Sequence, residues 1–593
     1  MDLHRTGCRF AVAPALALLA ACGSRELGPT TGPDEAGTPA VENGDLGLVV
    51  TLVEPARTIE RVTAQYARFV AGLDSLGRSA PLPAPDALRD TMRLGTRMGF
   101  YREMLLLPGE FAADLEEPAY GGVLLPRGGA PSLVASVPLL DGEASAPRGG
   151  PRGIPGVLDW RVEDDRVALG YFGADAVEIA GMPGVAVESD DDFTLRLWGV
   201  PGAERARRAL LGWAAAMRER GEVGMVEEMV FAAASTALEL LSDVDSLEAG
   251  LRVGDPGQPA LSFHAEVKPL AGSHLASMFP NEPPAGDFPF LGAIPAGARS
   301  FAVSRETPGD DALIETTADA VERLFGAFVS TARPDLAEHV AALGAATGDL
   351  LRLLDGRWLD ASWSADEGDP APAALDGGEL FLLAAVGNLP RRTMVLGVRD
   401  EDAALEAARH ACEEIRALGE FLDEMFGGPL DVGCRREPAS DGGGEVDVLT
   451  LREKIAPGDL EAGRRPWSAD VYYASGEARL VMVTGKDWEE RLGWALDDSA
   501  PGGGLGGDPG WLALRGRAPE TAGSLARIDL ATAVLSQFQA GGTSLAGELT
   551  PMPLDVWFGV EDGRAVLRAE TSADLASEAA ALFAKLGELG VFW

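Results

Sequence analysis

At Glu54-Pro55 the spacing of apolar residues changes period. Leu46, Leu48, Val50 and Leu52 alternate, as on one face of a strand. Beyond Pro55, Ile59, Val62, Tyr66, Phe69, Val70 and Leu73 recur at helical spacing. Proline suits the first turn of a helix, where its missing N–H would have no intrahelical partner in any case. A strand that feeds directly into a long amphipathic helix has two apolar surfaces to bury, which restricts the chain to layered arrangements of sheet and helix.

The junction recurs along the sequence. Phe193 to Val200 leads into a helix from Ala203 to Arg220, Arg299 to Ser304 into Ala312 to Val329, and Thr393 to Val398 into Asp402 to Phe426. Hairpins accompany these units. Leu554 to Val560 and Arg564 to Glu570 flank Asp562-Gly563, a type I′ turn signal, and Ser572 to Leu586 follows as a helix. Val471 to Tyr473 and Ala478 to Val483 flank a turn at Ser475-Gly476, ahead of a helix from Asp487 to Leu496. Val157 to Val162 pairs with Arg166 to Phe172 around Asp164-Asp165, and Leu247 to Val253 with Ala260 to Val267 around Asp255-Pro256-Gly257. Met225 to Leu241 is a further helix whose Met-rich stripe reads as core packing. The predicted class is α+β: antiparallel meanders and hairpins with amphipathic helices packed on one face.

Prolines 280, 283, 284, 289 and 295 crowd one stretch, and a fresh strand-helix unit starts just after it. This predicts a first α+β domain over 45–290 and a second over 291–593, two large domains of the kind a diverged duplication would produce. The Gly/Pro-rich stretches Arg127 to Gly156 and Pro501 to Gly510 read as surface loops.

The formal charge is -42, and Lys occurs only at 268, 454, 486 and 585. Such a surface repels phosphate backbones, which excludes nucleic acid as an expected partner.

The N-terminus carries an address. His4, Arg5 and Arg9 precede an apolar run from Phe10 to Leu19, the layout of an export signal, and ten residues are too few to span a bilayer, which needs about 20. Leu19-Ala20-Ala21-Cys22 closes the run and resembles the lipobox of bacterial lipoprotein precursors. The resemblance implies that residues 1–21 are a signal peptide, that the chain is cut before Cys22, and that the Cys22 thiol is acylated. Residues 22–44, rich in Gly, Pro, Thr, Ser and Glu, then form a lipidated tether. Gly23, in place of Asp, implies delivery to the outer membrane. The expected location is the bacterial cell envelope, with the N-terminal lipid as the contact to the membrane. Cys8 leaves with the signal, so Cys412 and Cys434 remain in the folded part, and an oxidising compartment predicts a disulfide between them.

Local motifs for chemistry are weak. Glu406, His410 and Glu414 are spaced four apart on one helix face, which could hold a divalent cation but is also the pattern of a solvated charged face. Asp190, Asp191 and Asp192 could hold Ca²⁺, without the spacing of an EF-hand. Gly542-Thr543-Ser544-Leu545-Ala546 lacks the last glycine of a nucleophile elbow. Gly502 to Gly507 lacks the Lys and Ser/Thr of a phosphate loop, and Thr484-Gly485-Lys486-Asp487 reads as a helix cap. No catalytic residue and no cofactor are predicted. The expectation is a lipid-anchored envelope protein acting as a non-enzymatic binding or structural module, with envelope proteins or an apolar ligand as partners. The alternatives are a carrier of lipid or other apolar ligands and a hydrolase with a dispersed carboxylate site; an apolar cavity would favour the first.

Overall fold

The computed structural model describes residues 46–588 except 79–81, 104–112, 125–131, 141–151, 155–157, 164–165, 172–189, 199, 221–224, 332–335, 364–390, 420–429, 439–444, 454–467 and 533–549. The signal, Cys22 and the tether lie outside these residues, as does Gly542 to Ala546. The described chain is an α+β protein built on antiparallel strands, in two compact units. Of the described residues, unit 1 holds those within 1–70, 80–223 and 234–275, and unit 2 those within 71–79, 224–233 and 276–593.

The strands of unit 1 and the helices met between them along the chain, some of which cross the unit limits, begin with β1 (Leu46–Leu52), α1 (Pro55–Ser75) and α2 (Pro85–Glu103). Then come β2 (Ala119–Leu124), β3 (Ser132–Pro138), β4 (Arg152–Ile154), β5 (Leu158–Glu163), β6 (Arg166–Tyr171) and β7 (Phe193–Trp198). Helices α3 (Val200–Arg220) and α4 (Met225–Ser242) precede β8 (Val244–Val253), β9 (Leu261–Pro269) and α5 (His274–Met278). The antiparallel pairings give the strand order β4-β5-β6-β3-β2-β1-β7-β8-β9.

Unit 2 begins its sheet with β10 (Ser300–Ser304), followed by α6 (Asp310–Thr331), α7 (Ala337–Arg352), β11 (Leu354–Trp363) and β12 (Arg391–Val398). Helix α8 (Glu401–Ala417) precedes β13 (Leu430–Pro438), β14 (Glu445–Glu453), β15 (Ser468–Gly476) and β16 (Arg479–Thr484). Helices α9 (Trp488–Asp497) and α10 (Pro509–Arg517) lead to β17 (Ala522–Asp529), β18 (Pro553–Glu561), β19 (Arg564–Thr571) and α11 (Leu575–Glu588). The order is β13-β14-β15-β16-β12-β11-β10-β17-β18-β19, again antiparallel throughout.

Helices cover both faces of the unit 2 sheet, which corrects the expectation of a single helical layer. On the first face Phe301, Val303, Leu359, Val395, Val481, Val483, Leu525 and Trp557 form the main core with Leu492 of α9 and Trp511 and Leu514 of α10. Residues one step out of phase, Leu396, Val398 and Leu480, pack on the second face against Leu350 of α7 and Ala404 and Leu405 of α8. The continuous apolar run of β16, whose Leu480, Val481 and Val483 are all fully buried, is what a strand covered on both sides requires.

One stretch read as a domain boundary and one read as a surface loop are built into this first-face core. The proline-rich segment supplies Phe288, Phe290, Ala293 and Ile294. Pro501 to Gly510, read as a surface loop, forms two short 3-10 turns and inserts Leu505, fully buried, with its N–H on the Ile294 carbonyl at 2.7 Å. Gly504 makes this possible: its φ is +66, and a Cβ there would lie 2.3 Å from the Leu291 carbonyl oxygen.

The β18–β19 turn has positive φ at both Asp562 and Gly563, the geometry of a type I′ hairpin. The β15–β16 turn departs from the expected position. Gly476 pairs with Arg479, so the turn residues are Glu477 and Ala478, at φ 51 and 58, rather than Ser475-Gly476. Pairing therefore extends two residues further than the Ser475-Gly476 signal implies, with Val481 and Val483 on the first-face core and Leu480 on the second.

Candidate functional site

Strand alternation places Ser304 on the second face of the unit 2 sheet, away from Phe301 and Val303. The register puts it opposite Trp358 on β11 and Ser524 on β17, and Ser524 opposite Phe558 on β18. Trp358, Ser304, Ser524 and Phe558 therefore form one row across four strands. With α6, the end of α7 and the segment from Met278 to Pro284, this row lines a partly open cavity of about 350 Å³ whose walls are predominantly apolar, including Leu313, Ile314, Leu351, Leu354 and Val560.

Polar groups in the wall are few. The Ser304 and Ser524 hydroxyls are 2.9 Å apart, and Ser304 Oγ has only distant alternatives, the Gly523 and Arg305 carbonyls at 3.4 and 3.5 Å. Thr307 lies just before α6, and both its N–H, at 2.6 Å to Oδ2, and its hydroxyl, at 2.5 Å to Oδ1, donate to Asp310, the first residue of that helix. Burial raises the Asp310 carboxyl above the ordinary aspartate range, against the opposing pull of the Thr307 hydrogen bonds. Arg357 donates through Nε and Nη2 to Asp355 at 2.9 and 2.5 Å, and its guanidinium lies 5.6 Å from the centre of the Phe290 ring.

The residues singled out in the sequence have other employment. Asp192 is buried and accepts from Arg61 at 3.0 and 3.1 Å, from the Thr58 hydroxyl at 2.9 Å and from the Val253 N–H at 2.7 Å. Asp191 lies 3.7 Å from His264, and Asp190 is exposed. On α8, Glu406 turns to Arg409 at 3.7 Å, while Glu414 sits between His410 of its own helix at 3.4 Å and His339 of α7 at 2.7 Å. Among the described residues no three His, Cys, Asp or Glu side chains are grouped so as to hold a metal ion. Cys412 and Cys434 form a disulfide that ties α8 to β13, with Cα atoms 6.1 Å apart. Asp487, expected to cap α9, makes no side-chain cap bond and pairs with Arg391 instead.

Sequence reasoning missed Ser304, Trp358, Ser524 and Phe558. They come from four separated segments, and only the strand register unites them. Comparison with protein-family models, with curated proteins and with solved structures finds no match to this chain.

Proposed function

We propose that this is a lipid-anchored protein of the bacterial cell envelope, held by acylated Cys22 at the end of a 22–44 tether, whose unit 2 binds a small apolar ligand. The cavity is the observation that carries the binding part. Its volume stands at the lower end of the roughly 300–1,000 Å³ of ligand pockets, and an apolar lining with a few convergent polar groups is their usual make-up. The volume suits one short chain or a compact ring system, so a small-ligand carrier is favoured over a carrier of whole lipids. The anchor rests on the lipobox resemblance; no helix among the described residues is long and apolar enough to cross a membrane. The charge of -42 keeps polyanions out of the set of partners.

The two units are proposed to descend from one ancestral unit. Both sheets share one pairing order when β1 is matched with β10, β2 and β3 with β11 and β12, β4 to β6 with β14 to β16, and β7 to β9 with β17 to β19; β13 is extra. Two consecutive helices separate the first matched pair in each unit. The row that lines the cavity also has a counterpart: Tyr120, Thr51 and Thr194 align across β2, β1 and β7 as Trp358, Ser304 and Ser524 do across β11, β10 and β17. Where Phe558 stands in unit 2, unit 1 has Gly250, against which Asp191 and His264 are packed. This supports unit 2 as the ligand-binding copy.

Two experiments test the proposal. Cys22→Ser should move the protein from the membrane to the soluble fraction; retention would refute the anchor. The neutral fluorescent probe N-phenyl-1-naphthylamine should bind saturably with one site, and Ser524→Phe, folded by circular dichroism, should abolish that site; absence of saturable binding would refute the cavity as a site.

A further inference from the structure

Resting on the cavity as a binding site, we infer that its ligand is uncharged and carries a single oxygen acceptor, the chemistry of an alcohol or ester on an apolar body, and that carboxylates such as free fatty acids are excluded. The argument begins with the charges. Glu282 and Asp310 line the cavity, and Arg357 is the one cation among its described lining residues. The Arg357 guanidinium is already engaged by Asp355 and lies over Phe290. A ligand carboxylate would thus lie against apolar walls with no free counter-charge and with carboxyl groups beside it, which costs more than placing a neutral group there. The same environment already resists ionisation of Asp310, whose carboxyl is raised by burial.

The hydroxyl pair supplies the complementary half. Each serine hydroxyl has one hydrogen and two lone pairs, so in the Ser304–Ser524 contact one hydrogen is used and one remains. The carbonyls within reach of Ser304 are at 3.4 and 3.5 Å, too far to satisfy that hydrogen well. A ligand oxygen in the cavity would take it, while the apolar body of the ligand covers Trp358, Phe558 and Leu313.

The test uses the purified full-length chain with N-phenyl-1-naphthylamine bound, displaced by 1-decanol or by decanoate at neutral pH. Decanol should compete at least about tenfold better than decanoate, a gap of about 1.4 kcal/mol, and acidification to protonate the decanoate should close the gap. Ser304→Ala with Ser524→Ala should weaken decanol about threefold to tenfold relative to the naphthylamine. Equal or better displacement by ionised decanoate would overturn the inference while the cavity remained a site. Failure of the naphthylamine to bind would remove the site itself.

Discussion

Replacing Asp192 should be the most damaging single change in unit 1. Arg61 and Asp192 are each 4% exposed, and the carboxylate also holds the Thr58 hydroxyl and the Val253 N–H. Asp192→Asn presents an amide donor to the guanidinium and leaves Arg61 with Asp255 alone, a partner 53% exposed at 3.3 Å. Breaking a buried pair from one side costs about 3–5 kcal/mol, because the remaining charge stays desolvated. Asp255→Ala, removing a largely solvated partner, should cost under about 1 kcal/mol. Urea-dependent hydrogen exchange of the peptide containing Val253 reads unit 1 directly. The double variant Arg61→Met with Asp192→Leu should recover most of the loss, since neither charge then remains buried. Millimolar Ca²⁺ should leave wild-type exchange unchanged, because Arg61 occupies the carboxylate that a cation would need. A cost below about 1 kcal/mol for Asp192→Asn, or an equal cost for Asp255→Ala, would refute this account of the pair.

Four further outcomes are expected. Ala478→Gly should raise stability by roughly 1 kcal/mol, since Ala478 has φ 58; a lower melting temperature would contradict this. Cys412→Ala with Cys434→Ala should lose about 3 kcal/mol in the chain-entropy account of a link spanning 22 residues, measured as a shift in urea midpoint. Gly344→Ala should destabilise by about 1–3 kcal/mol despite better helix propensity, because a Cβ would lie 2.6 Å from the Phe325 Cβ; a gain in stability would show that α6 and α7 can move apart. Because the folded state raises the Asp310 carboxyl, its contribution is fully present below the ordinary aspartate range and lost as pH rises through the raised value. Asp310→Asn removes a contribution that falls as pH rises, so the rise of stability with pH on the acid side should become steeper, and a flatter rise would reverse the assigned sign.

Period changes made much of the architecture legible. The switch at Pro55 marks the start of α1, and Asp562-Gly563 locates its turn because both residues favour positive φ. Glu477-Ala478 carries no such preference, and the pairing of Gly476 with Arg479 that places the turn there has no mark in the local sequence. The Gly-rich run at 502–507 looks solvated by composition, yet its glycines allow the close approach that buries Leu505. The cavity was illegible for a related reason. A serine at the end of β10 has no local mark that Ser524, some 220 positions away, will stand beside it. Likewise the ladder of Glu406, His410 and Glu414 gave no hint of His339, which comes from another helix.

Strand β13, at one end of the unit 2 pairing order, is also the one that carries a covalent bond. Among the described pairings β13 has a single neighbour, β14, so hydrogen bonds secure it along one side only. An edge held in that way can peel, and a peeled edge offers β14 as a template to any passing strand. Cys434, midway along β13, is bonded to Cys412 of α8. Two sulfur atoms thus fasten the rim of the sheet to α8 at the middle of its strand, on a segment that β14 alone would otherwise hold.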